Sequence, residues 1–153
     1  MKRGQQKRIP AFTSPNLYCH LIGAFQWATE QIFTQTVARK NSQTFIQFLE
    51  YLLVEQFPAQ KIILVLDNAS YHKSKASLAA LSLFEPRVRV FWLPKYCPNL
   101  NPIERFWRHL KDLASANKLD LAMDNLLHRI DEVLSFQNSD QHHLKLSFLE
   151  NIV

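Results

Sequence analysis

Glycine and cysteine are scarce in this sequence of 153 residues. The two glycines, Gly4 and Gly23, lie too far apart to form the glycine-rich loops that hold nucleotide phosphates. The two cysteines, Cys19 and Cys97, are too few for a disulfide framework, and no CxxC motif or Cys/His cluster indicates a zinc site. The sequence therefore excludes such a phosphate loop and indicates reduced thiols, as in a cytoplasmic protein.

Long apolar runs are absent as well. No stretch reaches the length of about 18 apolar residues that a transmembrane helix requires. The basic start, MKRGQQKRIP, is not followed by the apolar stretch of a signal peptide. We therefore expect no membrane association. Hydrophobic residues make up 47% of the chain, which indicates one globular domain with a real core.

The charge of the chain is positive. The formal net charge is +5, and the isoelectric point lies near 9.4. Such a surplus suggests an anionic partner, nucleic acid first, although a basic protein without such a partner fits it equally well. Residues 1–16 carry four Lys or Arg among their first eight positions and are predicted to form a basic arm or loop. This arm is either solvated or in contact with phosphates.

The first half of the chain predicts a β-hairpin followed by a helix. Residues 17–27 are aromatic-rich and bounded by turn residues, and residues 30–38 mix β-branched, aromatic and polar side chains as its partner strand. From Asn41 the period changes to that of an amphipathic helix, with Asn41 or Ser42 as its N-cap. The apolar positions of this helix are Phe45, Phe48, Leu49, Leu52, Leu53 and Phe57.

The second half of the chain alternates strands and helices. Residues 61–67 are a continuous apolar run, which is typical of a strand buried on both faces in a parallel sheet, and residues 87–93 predict the next strand. Helices are predicted over residues 72–84, 102–117 and 120–136. This order predicts an α/β domain with right-handed crossovers over residues 17–153.

Asp67 stands directly at the end of the buried strand. In open α/β sheets, ligands bind at the carboxyl ends of the strands, so an acid at this position is well placed for chemistry. The alternative is structural, because the sequence DNAS suits a turn that an Asp side chain caps.

Glu104 lies one turn inside a helix that follows the stiff stretch LPKYCPNLNP. Asn101, Pro102 and Glu104 can be interpreted as the N-cap, first and third residues of this helix, which is close to a capping box. Capping alone would explain these residue types. A carboxylate that the helix dipole keeps ionised on a rigid first turn is also a suitable ligand for a hard cation, and the two roles are compatible.

Asp67 and Glu104 are expected to approach each other. Only 36 residues separate them in the chain. A right-handed crossover would place strand 87–93 beside strand 61–67, and the following helix would fold back over the sheet. The start of that helix would then lie near Asp67.

Two motifs resemble a known family. LVLDNASYHKSK, followed by WLPKYCPNLNPIERFWRHLK, resembles the DDE transposases of bacterial insertion sequences in the mariner superfamily. NSQTFIQFLEYLL, residues 41–53, is similar to the helix before the family's second catalytic strand. The resemblance covers nearly the whole chain, and it implies a ribonuclease H and retroviral integrase-like fold with a mixed sheet flanked by helices.

The resemblance also implies metal-dependent cleavage and transfer of DNA strands at transposon ends and target, in the nucleoid of a bacterium. The family holds two Mg²⁺ or Mn²⁺ ions with three carboxylates, and Asp67 matches the second and Glu104 the third. Such ions activate water or a 3′-hydroxyl and stabilise the leaving oxygen. The residues expected near the DNA are Asn68, His72, Lys73 and Lys95 around the site, and the basic side chains Arg105, Arg108 and Lys111.

The first carboxylate of the family is absent from this sequence. It lies on the family's first strand, upstream of the segment that MKRGQQKRIP resembles, whereas Glu30 is the only acid before Glu50. The chain therefore looks like the C-terminal part of a transposase, without the central first strand and the helix-turn-helix region. We expect one well-bound metal at most, no DNA cleavage by the chain alone, and unpaired strand edges that invite an upstream segment or a second copy.

Two other functions fit parts of the sequence. The chain could be a non-catalytic DNA-binding or dimerising transposase remnant, whose DNA binding would depend on salt but not on Mg²⁺ or on either acid. A hydrolase of the haloacid dehalogenase class is disfavoured, because that class has a second Asp two residues after the first, where this chain has Ala69.

Overall fold

A computed structural model of the protein describes residues 19–95, 98–115 and 123–139, so the predicted arm 1–16 lies outside the described residues. The strands are β1 (His20–Phe25), β2 (Ile32–Val37), β3 (Ile62–Leu66) and β4 (Val88–Trp92). The α-helices are α1 (Ser42–Glu50), α2 (Lys75–Leu83), α3 (Pro102–Ser115) and α4 (Met123–Gln137). A π-helical segment, Tyr51–Gln56, continues α1, and a 3₁₀ turn, Pro98–Leu100, precedes α3. In this part of the chain, no helix has the length and apolar content of a membrane span.

The four strands form two separate pairs. β1 and β2 are antiparallel, with His20 opposite Val37. β3 and β4 are parallel, with Leu66 opposite Trp92, which confirms the predicted neighbours. No backbone ladder joins the two pairs within the described residues. The strand directions are therefore mixed, as expected, but each sheet has only two strands.

Helix α1 begins where a capping box satisfies its first backbone groups. The Asn41 side chain accepts a hydrogen bond from the Thr44 N–H at 2.9 Å, and the Thr44 hydroxyl accepts one from the Asn41 N–H at 3.1 Å. The prediction of Asn41 as N-cap is confirmed. The apolar face of α1 continues through the π-helical segment and packs against both strand pairs. The buried members of this core are Ile22, Phe45, Phe48, Leu49, Leu52, Leu53, Leu66, Leu81 and Val88.

Helices α3 and α4 cover another part of the hairpin. Phe106 is fully buried in this second core. Trp107, the next residue, crosses β1 at Gly23, where an added Cβ atom would lie 2.8 Å from the indole ring. Glycine is therefore the residue that allows α3 to approach the strand this closely. The other buried members are Ile32, Ile103, Leu110 and Ile130.

A side chain pairs with the first residue of β2 on the outer edge of the hairpin. The Ile32 N–H donates to Asn138 Oδ1 at 2.8 Å, and Asn138 Nδ2 donates to the Ile32 carbonyl at 2.9 Å. The amide of Asn138 thus pairs with β2 as a short piece of strand would. Because Asn138 follows α4 directly, this pair of bonds also fixes the end of that helix to the sheet.

Candidate functional site

The loop after β3 is longer than the sequence suggests. The helix predicted from residue 72 begins at Lys75, because the Ser74 hydroxyl caps it by accepting the Ser77 N–H at 3.1 Å. The Ser77 hydroxyl is fully buried and donates to the Tyr71 carbonyl at 2.6 Å. These bonds hold residues 67–74 as a compact loop at the carboxyl end of β3.

Asp67 is held in this loop through one carboxylate oxygen. Its Oδ1 accepts the Ala69 N–H at 3.0 Å and lies 2.8 Å from His72 Nδ1. The hydrogen bond with His72 lowers the pKa of Asp67 most; partial burial opposes this, and the Ala69 N–H and the charge of Lys40 lower the pKa further. The turn-capping role is confirmed, and among the described residues no hydrogen bond reaches Oδ2. Since the side chain is 46% exposed, Oδ2 is available to a ligand.

His72 lies beneath Asp67 and not on the surface. Its side chain is only 11% exposed, and its ring packs 4.6 Å from the ring of Phe45 and 4.4 Å from that of Tyr71, between ring centroids. These contacts fix the imidazole, which in turn orients the carboxylate. Contact of His72 with a phosphate stays a prediction, and the burial of the ring leaves little surface for it.

Glu104 is exposed on the first turn of α3, and its backbone N–H donates to the Asn101 carbonyl at 3.1 Å. Asp67 and Glu104 line one cavity of about 950 Å³. Burial raises the pKa of Tyr71, and the charges of Asp67 and Glu104 raise it further, so one phenol lies within electrostatic reach of both acids. Their role as metal ligands stays a prediction.

Two residues of this site were not predicted from the sequence. Tyr71 lies within the motif DNASYHK, but nothing in its spacing indicated that it would contact His72 and feel both acids. Lys40 belongs to the connection between β2 and α1, and it lines the same cavity. No sequence pattern indicated this position of Lys40, because it depends on how the hairpin packs against the rest of the domain.

Asn68 and Lys73 contact the protein itself. Asn68 Nδ2 donates to the Leu93 carbonyl at 2.5 Å, and Asn68 Oδ1 accepts from Lys73 Nζ. The Lys73 ammonium also lies 4.8 Å from the ring centroid of Trp92, in a cation–π contact. These side chains tie the ends of β3 and β4 together, and their contact with DNA stays a prediction.

The remaining basic residues are on the surface. Lys95 is exposed after β4, and Arg105, Arg108 and Lys111 are exposed along α3, on the turns that follow Glu104. Lys111 also lines the cavity. Contact of these basic side chains with DNA stays a prediction.

The donor chemistry of the two acids suits a hard divalent cation, because Mg²⁺ and Mn²⁺ prefer carboxylate oxygens. Within the described residues, however, no group of three or more His, Cys, Asp or Glu side chains is arranged to hold a metal. The residues therefore fit part of a metal site, with Asp67 Oδ2 and the Glu104 carboxylate as the available oxygens.

The fold of this chain is similar to that of one chain in a solved viral assembly. The chain aligns with a chain of the simian T-cell lymphotropic virus intasome, solved in complex with PP2A regulatory subunit B56 gamma. The TM-score is 0.62 at 19% identity, over 80% of this chain and 43% of the other. An alignment with the Mos1 transposase paired-end complex has a TM-score of 0.48 at 16% identity, over 90% and 50% of the two chains. The alignment with the intasome chain confirms the expected ribonuclease H-like fold class.

The sequence comparisons define the family. Residues 1–121 match the model of the DDE superfamily endonucleases, and the chain belongs to that family. It is also 33% identical to the insertion element IS630 uncharacterized 39 kDa protein of Shigella sonnei. This match covers 128 residues, which are 84% of this chain but 37% of the relative. The resemblance to insertion-sequence transposases is thus confirmed, and the chain spans little more than a third of that relative's length.

Proposed function

We propose that this chain forms the endonuclease domain of an insertion-sequence transposase, which cleaves and transfers DNA strands at transposon ends and target in a metal-dependent reaction. The observation that supports this most directly is that Asp67 and Glu104 line one cavity. The charges of both acids also raise the pKa of Tyr71. In a bacterial cell the place of action would be the nucleoid.

In this proposal Asp67 and Glu104 are the ligands of Mg²⁺ or Mn²⁺. The bound cation supplies activation of the attacking hydroxyl and stabilisation of the leaving oxygen. His72 and the Ala69 N–H hold Asp67 Oδ1, so that Oδ2 keeps one direction. Arg105, Arg108 and Lys111 would neutralise phosphates of the DNA backbone.

Two carboxylates balance only part of the charge of two divalent cations. We therefore infer that the chain alone holds one metal ion at most and does not cut DNA. A third carboxylate would come from another polypeptide segment or from a second copy of the chain, and the complete assembly would be the active species.

Metal binding by the chain alone tests the ligand assignment. Titration calorimetry with Mn²⁺ should detect one site, which Asp67→Ala and Glu104→Ala each abolish. Asp112→Ala removes an exposed acid from the same helix as Glu104 and should leave the affinity unchanged. If Mn²⁺ binding is absent, or persists in both site variants, the assignment is wrong.

The cleavage reaction needs its own test. The chain is mixed with the part of the Shigella sonnei relative that it does not match, and nicking of an insertion-element end is followed with and without Mg²⁺. We expect Mg²⁺-dependent nicking that Asp67→Ala abolishes. Equal nicking by this variant would contradict the proposal.

A second candidate is a non-catalytic transposase remnant that binds DNA or dimerises. It is favoured by the lack of a three-ligand metal group among the described residues. It predicts DNA binding that salt weakens and Mg²⁺ leaves unchanged. Neutralising both acids would strengthen purely electrostatic binding, so weaker binding by Asp67→Asn/Glu104→Gln would oppose it.

A further inference from the structure

Lys40 lies in the connection between β2 and α1, where one hydroxyl group holds the backbone on both sides of it. The Thr44 hydroxyl donates to the Arg39 carbonyl at 3.0 Å and accepts the Asn41 N–H at 3.1 Å. The Asn41 side chain in turn accepts the Thr44 N–H, so the capping box fixes the connection to the first turn of α1. The exposed side chain of Lys40 therefore starts from a defined backbone position.

The Lys40 side chain lines the cavity that Asp67 and Glu104 also line. After the hydrogen bond from His72, which lowers the pKa of Asp67 most, the charge of Lys40 lowers it further, so the ammonium lies within electrostatic reach of this carboxylate. In the part of the chain that the structure describes, however, the Lys40 ammonium makes no ion pair and no hydrogen bond. Its charge is thus available to another anion beside the acids.

The other basic side chain of this connection has a different position. Arg39 is as exposed as Lys40 but does not line the cavity. Arg105 and Arg108 of α3 do not line it either, whereas Lys111 does. The connection therefore presents one of its two basic side chains to the acids and the other to solvent. This difference between adjacent residues provides a matched control.

The charges around Lys40 would suit an anion when the acids hold a cation. The two carboxylates exceed the Lys40 ammonium by one negative charge, so they repel an anion as long as they are not neutralised. One divalent cation at the acids would reverse the sign of this sum. A phosphodiester carries a single negative charge, and a lysine ammonium is a compact donor for phosphate oxygens.

We propose that Lys40 binds the DNA phosphodiester that lies beside Asp67 and Glu104, through a non-bridging oxygen of the phosphate. The inference deepens the proposed function and rests on it for the identity of the anion. Lys40 would hold this phosphate from the β2–α1 connection, while the basic side chains of α3 would contact other phosphates of the backbone. Lys40 would then be a substrate-binding residue outside the two sequence motifs that contain the acids.

Chemical modification of lysine tests this contact at the residue itself. The full chain is acetylated in Mg²⁺ with and without saturating duplex DNA, and mass spectrometry measures the rate at each lysine. DNA should slow the acetylation of Lys40 at least about fivefold, because a bound phosphate covers the ammonium. Lys75, which is exposed at the start of α2, should react at the same rate with and without DNA.

A variant without the two acidic charges separates this contact from metal binding. Asp67→Asn/Glu104→Gln removes the repulsion of phosphate, so DNA binding can be measured by fluorescence anisotropy in EDTA. In this background, Lys40→Ala should weaken duplex binding at least about threefold and reduce the slope of log K against log salt by about 1. Arg39→Ala removes the same charge outside the cavity and should leave the slope unchanged. Lys40→Arg keeps the charge and should retain most of the affinity.

Three results would overturn the proposal. These are acetylation of Lys40 at the same rate with and without DNA in both the unmodified chain and the neutralised variant, equal slopes for Lys40→Ala and Arg39→Ala, and an effect of Lys40→Ala on urea unfolding without any effect on DNA binding. The last result would mean that Lys40 only stabilises the charge of Asp67. Circular dichroism verifies that each variant is folded.

The metal assignment and the phosphate contact fail separately. If the chain does not bind Mn²⁺ but DNA protects Lys40 in the neutralised variant, the ligand assignment is wrong and the phosphate contact stands. If Mn²⁺ binds at Asp67 and Glu104 but DNA leaves Lys40 unprotected, the phosphate contact alone is wrong.

Discussion

At the scale of single residues, the carboxylate of Asp67 has two unlike oxygens. Oδ1 is bound by the Ala69 N–H and the His72 ring, while Oδ2 has no hydrogen bond within the described part of the chain. Phe45 and Tyr71 hold the imidazole in place. A carboxylate fixed in this way can contribute to stability and still present one oxygen to a ligand.

This arrangement predicts a specific dependence of stability on pH. The pKa of Asp67 is lowered from its ordinary 3.8, so its contribution to the free energy of unfolding is complete above that value and is lost as the pH falls below it. Because the group is nearly half exposed, the contribution is about 1 kcal/mol. In urea unfolding from pH 3 to 7, Asp67→Asn should be less stable than the unmodified chain above pH 5, and the difference should shrink towards pH 3. A constant difference, as expected for the control Asp112→Asn, would contradict this.

At the scale of elements, the α-helices and strands could largely be predicted from the sequence, and their contacts could not. The spacing of the apolar residues predicted α1 correctly, and the apolar run 61–67 predicted β3. Both patterns reflect which side chains are buried. The late start of α2 depends on Ser77, a buried residue that the apolar pattern does not mark. The position of Lys40 depends on packing between distant elements, which no local pattern records.

The N-terminus of α1 allows a quantitative test. Asn41→Ala removes the side-chain acceptor of the Thr44 N–H and should lower the free energy of unfolding by about 1 kcal/mol in urea denaturation. Gln43→Ala changes an exposed residue in the same turn and serves as the control. An effect no larger than that of the control would show that the capping box is not important in solution.

The contact between Asn138 and β2 allows another test of stability. Asn138→Ala removes two hydrogen bonds from Ile32 and should cost about 1–3 kcal/mol of unfolding free energy. Asn138→Asp keeps the acceptor for the Ile32 N–H but places a second carboxylate oxygen against the Ile32 carbonyl, so the repulsion between the two oxygens should prevent it from restoring the lost stability. Thermal unfolding monitored by circular dichroism compares the stabilities of the unmodified chain and the two variants. If neither change affects the free energy of unfolding, the two hydrogen bonds between Asn138 and Ile32 do not stabilise the fold.

At the scale of the whole molecule, acidic and basic residues are arranged in sequence along one helix. Glu104 begins α3, and Arg105, Arg108 and Lys111 continue it. Since the net charge is +5, an anionic polymer would be attracted to the molecule in general and to this surface in particular. The carboxylates would then lie beside the attracted phosphates.

Salt dependence of DNA binding checks this arrangement. If Arg108 contacts a phosphate, Arg108→Ala should weaken binding to all duplexes alike and reduce the slope of log K against log salt by about 1. Lys75→Ala has the same change of charge at an exposed position at the start of α2 and should leave the slope unchanged. Fluorescence anisotropy at several salt concentrations measures both. Equal slopes for the two variants would contradict a DNA surface on α3.

The helix α1 packs against both strand pairs, which share no hydrogen bond with each other in the described residues. The helix therefore connects the two strand pairs through side-chain packing. Without it, the hairpin and the parallel pair would be expected to unfold separately, in two steps.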